Sequence, residues 1–156
     1  MTSRPLTPAE HTLAASVFGD AIDYALVRIN RRKYWPLQTR NIVMAPDGQL
    51  WFHPKGDLYH DDFACAPLHA QGLFIHEMTH IWQRQKGIWL PVARHPFCRY
   101  AYSLKPGWRL ERYGLEQQAE IVRHAFLLRA GVNVRGAPAL AVYEGLLAFA
   151  QNPKHS

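Results

Sequence analysis

The residues whose types and spacing carry the most chemistry are His76, Glu77 and His80, set in the run Gln71-Gly72-Leu73-Phe74-Ile75-His76-Glu77-Met78-Thr79-His80-Ile81-Trp82-Gln83. In a helix, side chains four residues apart share a face, so both imidazoles can reach one metal ion. Glu77 lies about 100° round the helix from His76, where it can act on a water held at that ion without being forced to ligate it. Two neutral nitrogen donors, a general base beside them and one coordination position left for water are what a zinc hydrolase requires. Taken alone, the five-residue pattern also fits an ordinary amphipathic helix with two surface histidines.

A second group of acids strengthens the metal reading. Glu116 and Glu120 stand four apart in the run from Arg112 to Ala130, where Val122, Ala125, Phe126 and Arg129 occupy one helical face and Glu116, Ala119, Glu120 and Arg123 another. Like charges at that spacing repel mildly on an exposed helix, so a nearby cation would explain their presence. The plainer alternative is a solvated acidic turn at a helix N-terminus, where the macrodipole favours Glu.

The elements that must position these residues follow from the pattern around them. Phe74, Met78, Ile81 and Trp82 recur at helical spacing and form a stripe to bury, and Gly87 supplies a stop after Arg84, Gln85 and Lys86. Gly131 ends the second helix in the same way. Thr7-Pro8-Ala9-Glu10 reads as a capping box with Pro at the first helical position, and Gly19-Asp20 should end that helix. Leu26 to Ile29 reads as a first strand. Asn41 to His53, with Asp47-Gly48 between two β-prone runs, reads as a hairpin. His60-Asp61-Asp62 reads as a turn and cap rather than a second metal site. Residues 100–107 alternate and then turn at Pro106-Gly107, which fits an extended segment, a second hairpin or a loop over the core. Pro138 to Phe149 is one more apolar helix, and Gln151 to Ser156 a polar tail. The expected fold is α+β: a small antiparallel sheet, a helix bearing His76 and His80, a second Glu-bearing helix beside it, and helices near both ends. One domain over residues 1–156, with flexible termini at about 1–6 and 151–156, fits the length.

Composition bounds the rest. The 156 residues are 48% hydrophobic and 19% charged, which excludes a disordered chain, and no apolar run is long enough to span a bilayer. No stretch of signal-peptide type opens the sequence, so synthesis in the cytosol is expected. Cys65 and Cys98 read as reduced core residues. Eighteen basic against twelve acidic residues give a net charge of +6, compatible with an anionic surface, a cell-wall polymer or nucleic acid. Arg31-Arg32-Lys33 beside Tyr34 and Trp35 is the densest basic patch. It could grip a phosphate backbone, but a short solvated turn with its aromatics folded under is the commoner outcome, and nucleic acid is not the expected partner.

The two motifs together, His76-Glu77-Met78-Thr79-His80 and Glu116-Gln117-Gln118-Ala119-Glu120, resemble the gluzincin pattern of zinc peptidases. That resemblance implies a zincin-like fold, a Zn2+ cofactor, His76, His80 and Glu116 as ligands, and Glu120 as the acid that orients a ligating histidine. The family has Asp where this chain has Glu120, which leaves the roles of Glu116 and Glu120 exchangeable. A broader likeness, through Phe18-Gly19-Asp20, Val27-Arg28-Ile29, Phe74 to Gln83 and Glu116 to Val122, is to small bacterial proteins labelled vgr-related. These are linked by name to the spike of type VI secretion, and similar minimal zincin domains occur in contractile-injection systems.

The function implied is hydrolysis of peptide (amide) bonds in proteins or cell-wall peptides, with Glu77 as general base and Tyr113, Tyr102 or His124 as donor to the developing oxyanion. The alternative is a non-catalytic zinc-binding adaptor of a secretion apparatus, with the spike protein as partner and export independent of a signal peptide. A DNA-linked protease with a His as third ligand, for which His95 and His124 are available, ranks last.

Overall fold

Thr7 begins the first helix through the reciprocal bonds its sequence implies: the Glu10 amide donates to Thr7 Oγ1 (3.0 Å) and the Thr7 amide to Glu10 Oε2 (2.9 Å). In this computed structural model, which describes residues 3–90 and 100–151 with side chains to residue 147, that helix is α1, Pro8–Phe18. It stops at Gly19, whose φ of 54° suits a residue without Cβ.

The segment before α1 is a strand, not a flexible arm. β1 (Ser3–Pro5) pairs antiparallel with β2 (Arg28–Asn30), Ser3 opposite Asn30, and Arg4 reaches from it to Glu10. β3 (Leu50–Trp51) lies on the other side of β2 and runs parallel to it, with Ile29 opposite Leu50. The sheet is therefore mixed, where an antiparallel one was expected.

The Asn41–His53 hairpin shrinks to one antiparallel bridge, Met44 to Trp51. Pro46 has no N–H to carry the ladder towards the turn. On the far side, Gln38 Nε2 donates to the carbonyls of Ile42 and Trp51 (2.9 Å each); Trp51 O also serves the Met44 bridge, whereas Ile42 O is an acceptor a longer hairpin would use. Residues 100–107 likewise form no ladder. Their backbone is held by side chains instead: Gln117 Nε2 donates to Ala101 O, and the Lys105 amide donates to the Tyr113 hydroxyl.

Three further helices complete the described chain: α2 (Leu68–Gln85), α3 (Leu115–Arg129) and α4 (Leu140–Gln151). α3 packs along α2, and α4 packs on α3 and α1. α2 ends as its glycine suggests: Gly87 has φ 91° and Ile88 N donates back to Gln83 O (3.2 Å). From Phe74 to Gln83 every residue of α2 is buried, its apolar side chains joining Phe18, Ile29, Leu50 and Phe63 in one core. Phe63 stacks on Phe74 with centroids 5.3 Å apart. Each such side chain contributes roughly 1.5–3 kcal/mol on burial. The architecture is mixed α+β, with four helices and a three-stranded sheet among the described residues.

Asp62 caps a 3₁₀ turn over Phe63–Cys65, as the turn reading implied. Cys65 is exposed there, contrary to its expected place in the core. His95, Cys98 and residues 152–156 lie outside the described residues. No described helix is long and apolar enough to cross a membrane.

Candidate metal centre

α2 sets His76 and His80 one turn apart, and α3 brings Glu116 up to both from its own first turn, where the helix dipole favours a carboxylate. The helices approach closely at Gly72, where a Cβ would come within 3.2 Å of Leu127 Cδ2. His76 Nε2 lies 3.3 Å from Glu116 Oε2 and His80 Nε2 lies 3.3 Å from Glu116 Oε1. One ligand atom from each of the three residues falls within 4.8 Å of the other two, and all three residues are buried.

The outer nitrogen of His80 is held as well. His80 Nδ1 is 2.8 Å from Gln83 Oε1, which can only accept, so Nδ1 carries the proton and Nε2 presents its lone pair to the cluster. Gln83 is itself fixed, its Nε2 donating to Leu115 O and Gln118 Oε1, and Gln118 Nε2 donating to Tyr113 O. This chain of amides locks one tautomer of His80. Sequence reasoning missed Gln83. The signal was there, since it stands three residues after His80 on the same helical face. His76 Nδ1 faces Glu120 Oε2 at 3.4 Å, so the two acids divide their work: Glu116 faces the inner nitrogens, Glu120 the outer edge of His76.

The site is polar where burial demands partners. His80 Nε2 and Glu77 Oε2 are buried without a hydrogen-bond partner, and such groups cost about 1–3 kcal/mol each when left unmade. A metal ion among His76, His80 and Glu116 would satisfy the first, and a water beside it the second. Two imidazoles and a carboxylate form a donor set suited to zinc with an open position. In the metal-free protein, burial lowers the His76 pKa but bonding to Glu116 and then Glu120 outweighs it, raising it to about 9. Glu120 is held low, against its own desolvation, by His76 and then by Arg123 and His124.

A cleft of about 610 Å³ opens beside the cluster, with Glu120, His124, Tyr100, Tyr102, Arg135 and Tyr143 in its wall. Tyr100 stacks over His76, centroids 6.2 Å apart. The Tyr102 hydroxyl sits 2.6 Å from His124 Nδ1 and 2.7 Å from the Tyr143 hydroxyl. Burial first, with Arg123 and His76, lowers the His124 pKa against the pull of Glu120, and its Nδ1 pairs with the Tyr102 hydroxyl. His124 is thus bonded to tyrosine and does not join the His76–His80–Glu116 cluster. Tyr113 is buried, its ring against Trp108 and its hydroxyl accepting the Lys105 amide.

No family model matches the chain. It is 44% identical over 134 residues to the type VI secretion system spike protein VgrG2b of Pseudomonas aeruginosa, a match covering 80% of this chain and 13% of that protein. The solved effector domain of Pseudomonas aeruginosa VgrG2b superposes with a TM-score of 0.78 at 38% identity, covering 95% of this chain and 82% of that domain. The chain belongs to the VgrG2b effector-domain family. Kinship with vgr-related proteins, read from Phe18-Gly19-Asp20, Val27-Arg28-Ile29 and the two helical motifs, therefore holds. The chain corresponds to the effector domain of VgrG2b and spans only 13% of the whole spike protein's length.

Proposed function

We propose that this member of the VgrG2b effector-domain family is a zincin-like, zinc-dependent hydrolase of peptide bonds, with His76, His80 and Glu116 as ligands and Glu77 as general base. The observation that carries the reading is the buried His76–His80–Glu116 cluster with a buried, unpartnered Glu77 carboxylate oxygen in the same helical turn. A bound zinc ion would supply Lewis acidity towards an amide carbonyl and increase the acidity of a water. Glu77 takes the proton from the attacking water and returns it to the leaving amine. Glu120 and Gln83 hold the two imidazoles in place during that exchange. Of the candidate donors to the oxyanion, the Tyr102–His124 unit is favoured by its place in the cleft wall beside Glu120, whereas Tyr113 is covered by Trp108.

The substrate is a peptide or protein, including cell-wall peptides, that enters the cleft. Likeness to a domain of a secretion spike supports synthesis in the cytosol followed by export with, or on, a spike protein. The test is Glu77→Gln assayed on protein and cell-wall peptide substrates. Loss of turnover with zinc retained supports the reading. Turnover equal to the parent contradicts it, and zinc binding with no hydrolysis by the parent favours an adaptor.

A further inference from the structure

The loop between β2 and β3 carries a surface that the metal centre does not use. Leu37 is 72% exposed, Ile42 51%, Trp35 47% and Tyr34 42%, although a turn with its aromatics folded under was expected. The loop that carries them has a built backbone support, and the Tyr34 ring lies edge-on to Trp51, centroids 5.6 Å apart. Gln38, only 3% exposed, accepts the Tyr34 amide (2.8 Å) while its Nε2 donates to the Ile42 and Trp51 carbonyls. Lys33 Nζ closes the loop onto Pro36 O.

Cations lie in and beside the same loop. Arg31, Arg32, Lys33, Arg40 and Lys55 belong to this face, and none forms an ion pair among the described residues. Arg31 lies over the Tyr59 ring and Arg32 over the Trp51 ring. The His53–Gly56 turn packs against the Arg40 backbone, which brings Lys55 alongside. The His53 pKa is lowered, by desolvation and then by the charges of Lys33, Arg40 and Lys55, as expected within one cationic cluster. Of the two acids in residues 31–57, Asp47 is occupied with Trp51 Nε1 and the Gln49 amide, and Asp57 is the other.

Nucleic acid would use the cations and the rings but not Leu37 and Ile42. The core of a protein interface would use the apolar residues, the rings and the arginines but is depleted of lysine, and Lys33 and Lys55 lie in or beside this loop. An anionic bilayer uses all of them: lysine and arginine at the headgroups, Trp and Tyr at the interface, Leu and Ile at the acyl boundary. We propose that this face docks peripherally on an anionic phospholipid bilayer.

Flotation of the 156-residue chain with vesicles of phosphatidylglycerol and phosphatidylethanolamine, and with phosphatidylcholine vesicles, tests this. Binding is expected to the anionic vesicles alone and should fall with added salt. Trp35→Ser with Leu37→Ser should weaken it about tenfold or more, and Lys33→Glu with Arg40→Glu by a similar factor. Glu77→Gln should bind as the parent does, which separates this proposal from the hydrolase reading. Brominated lipids should quench tryptophan fluorescence in the parent and less in Trp35→Phe, a readout that needs no disruptive variant. Equal binding to neutral vesicles, or binding unchanged by both double variants, overturns the proposal. So does tighter binding to a DNA duplex that Leu37→Ser leaves unaltered.

Discussion

Two glutamates, both removed from solvent, have opposite surroundings. Glu10, in the strand-and-turn half, has each oxygen taken twice: Oε1 by Arg4 and the Phe63 amide, Oε2 by Arg4 and the Thr7 amide. Glu77, in the α2–α3 half, has a buried oxygen with no partner, beside a histidine nitrogen in the same condition. A buried carboxylate with every lone pair filled holds the fold together. One with a lone pair left over, among potential metal ligands, is what the proposed hydrolysis would use.

The sharpest way to break this contrast is to neutralise each acid. Glu77→Gln should lower turnover by about 10²–10⁴-fold in a peptide-hydrolysis assay while leaving urea-unfolding stability at or above the parent's. Glu10→Ala should do the reverse, costing about 3 kcal/mol in urea unfolding by taking the carboxylate from Arg4 and leaving the Thr7 and Phe63 amides unpaired, with zinc still bound one per folded chain. If Glu77→Gln proves the more destabilising, the division fails.

The same contrast explains what could be read from the sequence. That His76 and His80 share a face was legible because helical periodicity is local: i, i+4 spacing fixes a shared face whatever surrounds it, whereas Glu116 was picked out as a ligand only by the gluzincin resemblance, since its approach to them depends on how α3 packs on α2. The capping box of Thr7 and Glu10 was legible because it too is local. The further role of Glu10 was not, because its partner Arg4 arrives only through the pairing of Ser3 with Asn30. The hairpin was overread since its signal, Asp47-Gly48 between β-prone runs, says nothing of Gln38 taking the Ile42 carbonyl. The parallel pairing of β2 with β3 needs a crossover that residues 31–49 do not announce. Cys65 was misplaced because a small apolar residue in a 3₁₀ turn can face either way.

Smaller effects sharpen the account of the site. Gln83→Ala should weaken zinc binding about 10–100-fold by freeing the His80 tautomer, measured by competition with a chelating dye. An unchanged affinity would reduce Gln83 to packing. The raised His76 pKa adds a pH signature. With a folded pKa of about 9 against 6.5 unfolded, the metal-free protein gains stability fully present below pH 6.5 and lost as pH rises through 9. Zinc requires the deprotonated ring, so its affinity should fall as pH drops below about 9, and binding at neutral pH should release about one proton. Calorimetry in buffers of different ionisation enthalpy reads that proton directly. The smallest effect belongs to the exposed pair Arg129–Glu144, 3.6 Å apart, whose removal by Glu144→Gln should change stability by less than about 1 kcal/mol.

The most direct test of the central claim is the metal content of the purified chain, measured by mass spectrometry beside His80→Ala and Glu116→Ala. The account predicts one zinc per chain in the parent and a large loss in both variants, with the far-ultraviolet circular dichroism of each preserved. A parent that takes up no zinc on reconstitution, or variants that keep it, would contradict the assignment of His76, His80 and Glu116 as a metal centre.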